Sequence, residues 1–304
     1  MLLKIGTRGS RLARRQWAEI GELLAKRGGE AEEVIITTSG DAFLDRAIHE
    51  VSYGAFVQEL DVKVLGGEIE AAVHSMKDIP AELPEGIVIA AVPPRASPFD
   101  LLITRDGATL DELPPGAVVG TASVRRRAQL LWHRPDLAIK NLRGNVETRL
   151  EKLERGEYDA IILAEAGVER LGLPVQGQRL SFTPSPNQGA IAVTARADSP
   201  ILPLLRSLDH PPSRVEVEAE RRIMERVGGG CAVPLGVLAR YNGSEVEVEA
   251  EILTTDGRQR KALSKRASPE ELKRATEGVG KGLLEWMESL PQGGDRILDD
   301  RHPD

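Results

Sequence analysis

The sequence lacks what disulfide scaffolds, metal sites and membrane spans require. Its 304 residues include one cysteine, Cys231, and five histidines. One cysteine excludes an internal disulfide framework and a cysteine-rich zinc site, and the scattered histidines form no metal-binding pattern. No apolar run approaches the ~20 residues that span a bilayer. We therefore expect neither a bound metal nor a membrane span.

Aromatic residues and net positive charge are also scarce. Aromatics make up 3% of the chain, and the formal net charge is −7. Stacking on bases needs aromatic side chains, and neutralisation of phosphates needs positive charge. The composition therefore argues against a nucleic-acid partner. The first residues do not show the apolar region or cleavage site of a signal peptide, and a lone cysteine fits a reducing compartment. We expect a cytoplasmic protein in which any anion site is a local cluster of basic residues.

Short apolar runs alternate with helical patterns over the first two thirds of the chain, which predicts α/β units with mostly parallel sheets. The length exceeds what one hydrophobic core usually serves. Residues 42–56 and 174–187 show little regular pattern and are predicted as loops. After residue 211 the pattern changes to a helix capped by Ser213, a small antiparallel sheet and a last helix, so we predict an α+β domain there.

The domain boundaries follow from these changes of pattern. Because a proline-containing loop precedes the apolar run at 190–195, we expect the chain to cross back to the first domain there. The prediction is an N-terminal α/β lobe made of residues 1–94 with 189–211, a second α/β lobe of residues 95–188, and a C-terminal α+β domain of residues 212–304.

The stretch Ala71–Pro80 is the strongest candidate for chemistry. An apolar run ending at Val73 predicts a buried strand, and Pro80 cannot continue it. Lys77 and Asp78 then lie at the carboxyl end of a strand, where α/β folds bind ligands. The alternative is an ordinary surface ion pair.

Three segments repeat one design, in which a strand is followed by Gly with Ser or Asn and then by an arginine-rich helix start. Free backbone N–H groups at a helix start favour anions, and guanidinium groups bind carboxylate or phosphate bidentately. Of Arg125, Arg126 and Arg127, at most two can share a site, because adjacent helical positions differ by about 100°. Capped helices with solvated arginines are the alternative. The segments are Gly6-Thr7-Arg8-Gly9-Ser10, Gly120–Arg127 and Leu142–Arg149.

Cys231 lies immediately after three glycines, a position that favours an accessible thiol, although most free cysteines are inert core residues. From the residues alone, the sequence predicts a two-lobed protein that binds a polyanionic small molecule between its lobes. A ligand-binding module fits this description as well as an enzyme does.

Taken together, these motifs resemble the porphobilinogen deaminase family, also called hydroxymethylbilane synthases. The resemblance covers nearly the whole chain, and its motifs occur in the family's order. They are Gly6–Ser10, Ala72–Pro80, Gly120–Arg126, Leu142–Arg149, Gln188-Gly189-Ala190 and Gly229–Pro234.

The resemblance implies two periplasmic-binding-protein-like α/β lobes plus a smaller α+β C-terminal domain. It further implies an enzyme that joins four porphobilinogen molecules head to tail, releasing ammonia and giving hydroxymethylbilane in tetrapyrrole (haem) biosynthesis. The implied cofactor is dipyrromethane, held covalently by a thioether to Cys231, and the family expectation is a monomer.

The resemblance also implies roles for individual residues. Asp78 matches the catalytic aspartate. The residues expected around the cofactor are Lys77, Asp78, Ser123, Arg125, Arg126 and Arg143. Those expected to bind substrate or the growing chain are Arg8, Ser10, Arg149 and Arg170.

The chain departs from the family pattern at several positions. Tyr53 and Gln58 stand where lysines are usual, Asn187 replaces a glycine, and Thr194-Ala195 replaces a Glu-Cys pair. Two other classes are left open: a non-catalytic anion-binding module without a pyrrole on Cys231, and a nucleic-acid binder that uses the arginines.

Overall fold

The computed structural model describes residues 2–37, 57–228 and 232–290. The predicted loop at 42–56, Tyr53 and Cys231 lie outside these ranges. None of the helices in the described part of the chain has the length and apolar character needed to cross a bilayer.

The first lobe is built on a five-stranded sheet in the order β2-β1-β3-β10-β4. Strands β1, β2 and β3 run parallel, and β10 runs antiparallel to both β3 and β4. Its strands are β1 (Leu2–Arg8), β2 (Glu30–Ile36), β3 (Ala71–Ser75), β4 (Ile87–Ala91) and β10 (Ile191–Arg196). The helices are α1 (Arg11–Lys26), α2 (Gln58–Leu65) and α6 (Leu202–Arg206).

The second lobe repeats this arrangement with the order β7-β6-β8-β5-β9. Strand β5 runs antiparallel to β8, as β10 does to β3 in the first lobe. Its strands are β5 (Asp100–Thr104), β6 (Val118–Gly120), β7 (Ala138–Lys140), β8 (Ala160–Ala164) and β9 (Gln178–Arg179). The helices are α3 (Val124–His133), α4 (Val146–Glu154) and α5 (Glu165–Leu171).

Two segments join the lobes, and we name them for use below. The first crossing segment is residues 92–99, between β4 and β5. The second crossing segment is residues 180–190, between β9 and β10. After the second crossing segment, β10 pairs with β3 and β4 in the sheet of the first lobe.

The third domain packs two helices on a three-stranded antiparallel sheet in the order β11-β12-β13. One apolar core, which includes Ile223, Val237 and Leu283, joins the sheet to both helices. The elements are α7 (Pro211–Val227), β11 (Leu235–Tyr241), β12 (Val246–Leu253), β13 (Arg260–Ala267) and α8 (Leu272–Ser289). The fold class predicted from the sequence is confirmed, while the domain boundaries stay a prediction.

Some local predictions are corrected. Strand β1 continues through Gly6 and Thr7 to Arg8, whereas the sequence pattern ends the strand before Gly6, because β1 pairs with β2 along its whole length. Helix α7 begins at Pro211 rather than after Ser213: prolines fit the first helical positions, and the His210 ring accepts the cap hydrogen bond from the Ser213 amide. The predicted loop at 174–187 contains β9.

Candidate active site

A short 3-10 turn, Met76–Asp78, follows β3 directly; we call it the Asp78 turn. The Met76 amide donates to the Ala190 carbonyl over 3.0 Å, and the Ile79 amide donates to the Met76 carbonyl over 3.2 Å. Met76 and Ile79 are fully buried, whereas Lys77 and Asp78 are half-buried. The two apolar residues therefore anchor the turn and leave the two charged side chains at its surface.

The Lys77 ammonium lies among charges from both lobes. Its pKa is lowered chiefly by burial and further by Arg126 and Arg125, while Asp78 and Asp100 act in the opposite direction. The three second-lobe residues in this set are at the start of β5 and the start of α3. The Asp78 turn of the first lobe thus meets the charged edge of the second lobe.

Asp100 is the centre of that edge. Arg125 Nη2 lies 2.8 Å from its Oδ2, Arg126 Nη2 lies 2.7 Å from its Oδ1, and Gln188 Nε2 donates to Oδ1 over 2.8 Å. Burial alone raises the pKa of Asp100, but Arg125, Arg126 and these hydrogen bonds outweigh it and hold the pKa well below its usual range. Asp100 is therefore a buried anion that binds two cations.

Sequence reasoning missed this role of Asp100. The available signal was an acidic residue that opens an otherwise apolar strand, Asp100-Leu101-Leu102-Ile103. A carboxylate in that position is buried with the strand and needs a cationic partner.

Helix α3 begins with the arginines that bind Asp100. Ser123 is its N-cap, and its Oγ accepts from the Arg126 amide over 3.4 Å. Arg125 Nη1 also donates to Gln129 Oε1 over 2.8 Å, and Arg126 Nη1 donates to the Ile162 carbonyl over 3.0 Å. Both arginines are thus fixed by protein groups. The buried Nε of Arg126 has no acceptor among the residues that the structure describes.

Arg149 lies in a cluster of cations, in the first turns of α4. Its Nε donates to the Gly144 carbonyl over 2.7 Å. Burial, together with the positive charges of Arg126 and Arg143, lowers the pKa of Arg149 to about 10. It makes no ion pair with any carboxylate in the described ranges. Arg126 is paired with Asp100, but Arg149 keeps its charge, so this region is suited to bind an anion.

Arg8 and Ser10 lie where β1 meets α1. Ser10 caps the helix, its Oγ accepting from the Ala13 amide over 3.3 Å. Burial and the Arg8 charge lower the pKa of His74 to about 3, so its ring is neutral at ordinary pH. His74 Nε2 lies 3.0 Å from Thr194 Oγ1. Arg8 therefore adds a cation next to β3, the strand that leads to the Asp78 turn.

Arg170 is occupied by protein contacts. Its Nε donates to Glu19 Oε1 of α1 over 3.2 Å, and its Nη2 donates to the Gly189 carbonyl over 3.0 Å. Its side chain is only 7% exposed. Arg170 thus joins the two lobes, and a role in substrate binding stays a prediction that requires it to exchange partners.

Two family models match the chain. "Porphobilinogen deaminase, dipyromethane cofactor binding domain" covers residues 3–202, and "Porphobilinogen deaminase, C-terminal domain" covers residues 214–288. The chain belongs to the porphobilinogen deaminase family.

Relatives from archaea and bacteria carry the same family name. A "Probable porphobilinogen deaminase" of Methanosarcina acetivorans is 51% identical over 262 residues, which cover 84% of this chain and 83% of the relative. The "Porphobilinogen deaminase" of Desulforudis audaxviator is 46% identical over 261 residues, covering 83% and 84%. Among solved structures, the methionine-binding protein MetQ covers 68% of this chain and 89% of its own at 12% identity, with a TM-score of 0.43, too low to carry functional meaning.

The described residues fit the cofactor of the porphobilinogen deaminase family. The resemblance implies a cofactor whose pyrroles carry acetate and propionate groups, and such a cofactor would need several cations around it. Arg149 is such a cation, because its charged neighbours are Arg126 and Arg143, and the buried Arg126 Nε lacks an acceptor in the described part of the chain. Within that part, no group of three or more His, Cys, Asp or Glu side chains could hold a metal ion.

Cys231, the predicted attachment point, lies four positions after the end of α7 at Val227, outside the described residues. Gln58, which stands where the family usually has a lysine, is the first residue of α2. Asn187 has a φ of 64°, in the left-handed region where glycine is easiest to accommodate and asparagine is tolerated better than most residues.

Proposed function

We propose that this chain is a hydroxymethylbilane synthase, which joins four porphobilinogen molecules head to tail, releases ammonia at each addition and yields hydroxymethylbilane. The observation that carries the proposal is the cation cluster beside the Asp78 turn. Arg126 links this cluster to the Asp78 turn, because its positive charge helps to lower the pKa of both Lys77 and Arg149. One charged region thus offers a carboxylate and several cations to a polycarboxylate ligand.

Cys231 would hold dipyrromethane through a thioether, with Lys77, Ser123, Arg125, Arg126 and Arg143 around it. When bound, this cofactor supplies the pyrrole position to which substrate units are added. Arg143 and Arg149 would bind acetate and propionate groups through charge-assisted hydrogen bonds. Arg125 and Arg126 would act differently. Because Asp100 fixes both guanidinium groups, they would contribute positive charge at fixed positions.

Asp78 would be the catalytic residue. A carboxylate held by a rigid turn stabilises positive charge that develops on a pyrrole ring as ammonia leaves, and it can accept a proton. Such stabilisation needs a fixed position, which the buried Met76 and Ile79 provide.

Arg8, Ser10, Arg149 and Arg170 would serve substrate binding and chain elongation. We further propose that the protein works as a cytoplasmic monomer.

The direct test incubates the purified protein with porphobilinogen and measures ammonia release and linear tetrapyrrole formation. We expect four molecules of ammonia for each hydroxymethylbilane. Asp78→Asn should retain the fold and lower turnover by ~100-fold or more, which is the size of a general acid–base contribution. Glu82→Gln is a matched control, because Glu82 is an exposed acid only four positions away. A parent protein that binds porphobilinogen without releasing ammonia would be a binding module.

A further inference from the structure

Arg221 connects the third domain to the Asp78 turn. Its side chain extends from α7 and is buried, with 7% of the residue exposed. Its Nη2 donates to the Pro80 carbonyl over 2.9 Å and to the Ala81 carbonyl over 2.6 Å. Both carbonyls lie within three positions of Asp78, so one guanidinium nitrogen fixes the backbone immediately after the turn.

Apolar packing from α7 also reaches the turn. Val217, one helical turn before Arg221, shares a buried cluster with Met76 and Ile79. Beside it, a cavity of about 360 Å³ lies between α7 and the first lobe, lined by Met76, Leu83, Val217 and Arg221 among others. The hydrogen bonds from Arg221 therefore restrain the backbone at the edge of this open groove, next to the apolar residues that anchor the turn.

The two ends of the turn are therefore held by different parts of the molecule. Its start is held through the Met76 amide by Ala190 of the second crossing segment, over 3.0 Å. The segment that follows its end is held by Arg221 of the third domain. Pro80 has no N–H with which to add a backbone hydrogen bond of its own.

We propose that Arg221 is a positioning residue for Asp78, fixing the turn that carries the carboxylate without touching the substrate. This inference rests on the proposed function, in which Asp78 acts on the reacting pyrrole. A displacement of about 1 Å at such a group can lower a rate by ~100-fold. Loss of Arg221 should therefore lower turnover more than it changes substrate affinity.

The test compares Arg221→Gln with Arg222→Gln in the cofactor-loaded protein. Arg222 is the matched control, because it lies on the same helix but is partly exposed and pairs with Glu218 over 3.5 Å. We expect Arg221→Gln to lower kcat by ~10-fold or more while KM changes by less than about threefold. Hydrogen–deuterium exchange of residues 76–83 should rise in this variant. Arg222→Gln should change neither quantity.

Arg221→Lys keeps the charge and a donor and should recover part of the lost kcat; it also serves if Arg221→Gln does not fold. A merely structural role would lower the melting temperature of Arg221→Gln and leave kcat of the folded enzyme unchanged. A kcat within twofold of the parent, or a loss without faster exchange at 76–83, would overturn the inference. A parent that releases no ammonia would instead refute the proposed function, and the exchange comparison would still show whether Arg221 orders the turn.

Discussion

At the scale of single residues, Asp100 explains how an acidic protein keeps a cationic site. Arg125 and Arg126 carry two positive charges and Asp100 carries one negative charge, so the trio retains one positive charge after pairing. Arg149 adds another without an acidic partner in the described ranges. The formal charge of −7 for the whole chain is therefore compatible with a local anion site. The geometry of that site depends on the buried carboxylate.

Arg149→Gln tests the cation cluster. Removing a charge-assisted contact of roughly 1.5–3 kcal/mol should lower kcat/KM for porphobilinogen by at least about tenfold. Stability should not fall, because the substitution removes a cation that burial, Arg126 and Arg143 all disfavour. Steady-state kinetics and denaturant unfolding measure the two effects. Arg155→Gln is the control, because Arg155 lies at the exposed end of the same helix and pairs with Glu157. Unchanged kinetics in Arg149→Gln would remove it from the site.

Asp61→Asn tests a buried acid outside the site. Burial raises the pKa of Asp61 from its ordinary value of 3.8 to about 6. Between about pH 4 and pH 6 the folded state therefore holds a proton that the unfolded state releases. The free energy of unfolding consequently falls as pH rises through this range. Above pH 6 the substitution should raise the free energy of unfolding by about 1–3 kcal/mol, and at pH 4 it should have little effect.

Urea unfolding at pH 4 and at pH 8 measures this difference. Glu85→Gln, at an exposed acid of the same lobe, should change stability little at either pH. An equal gain from Asp61→Asn at both values would show that ionisation is not the cause.

At the scale of elements, the close approach of the two crossing segments decides how the lobes are joined. A Cβ on Gly189 would lie 2.5 Å from the Ala96 carbonyl oxygen and 2.6 Å from that of Ser97. Gly189 also has a φ of +88°, which L side chains rarely adopt. The backbones of the two crossing segments are therefore in contact here, and only glycine fits at position 189.

Gly189→Ala should consequently destabilise the protein by about 2–4 kcal/mol, from backbone strain and overpacking together. Gly172→Ala separates the two causes: Gly172 also has a positive φ, of +61°, but nothing lies within 4 Å of its added Cβ. That control should lose about 1–2 kcal/mol. Denaturant unfolding of both variants gives the comparison, and equal losses would contradict the contact between the segments.

Local sequence signals predicted most elements of the fold. The segments Gly6–Ser10 and Gly120–Arg127 lead into α1 and α3, and the apolar run ending at Val73 belongs to the buried strand β3. Strand β9 escaped prediction because its two residues form a strand only by pairing with Leu101 and Leu102, some 77 positions earlier. A distant partner leaves no periodic pattern in so short a segment.

The site was predictable to a similar degree. The arginine-bearing strand ends could be read from the sequence, and the structure brings Arg126, Arg143 and Arg149 together. The protein groups that bind these arginines could not be predicted from the sequence. Asp100 and Gln188 contact the arginines through tertiary packing, and Arg170 finds Glu19 on another lobe. Which cations remain available to a ligand depends on these contacts, and sequence spacing does not encode them.

At the scale of the whole molecule, the third domain contacts both lobes and the segments between them. Gln129 Nε2 of α3 donates to Glu251 Oε1 of β12 over 2.6 Å, and Arg221 reaches the Asp78 turn. Glu220 is fully buried and accepts from Arg95 Nη1 of the first crossing segment over 2.7 Å and from the Asn187 amide of the second over 2.5 Å. Burial raises the pKa of Glu220, although Arg95 opposes the shift. The third domain is thus attached to α3, to both crossing segments and to the segment after the Asp78 turn.

The proposed function depends on a covalent dipyrromethane on Cys231, which the intact mass of the denatured protein would reveal. The parent protein and Cys231→Ser would be purified from a host that supplies porphobilinogen and measured side by side. We expect the mass of the parent to exceed its sequence mass by two linked pyrrole units, and the variant to show no excess. An unmodified parent, or the same excess on the variant, would contradict it.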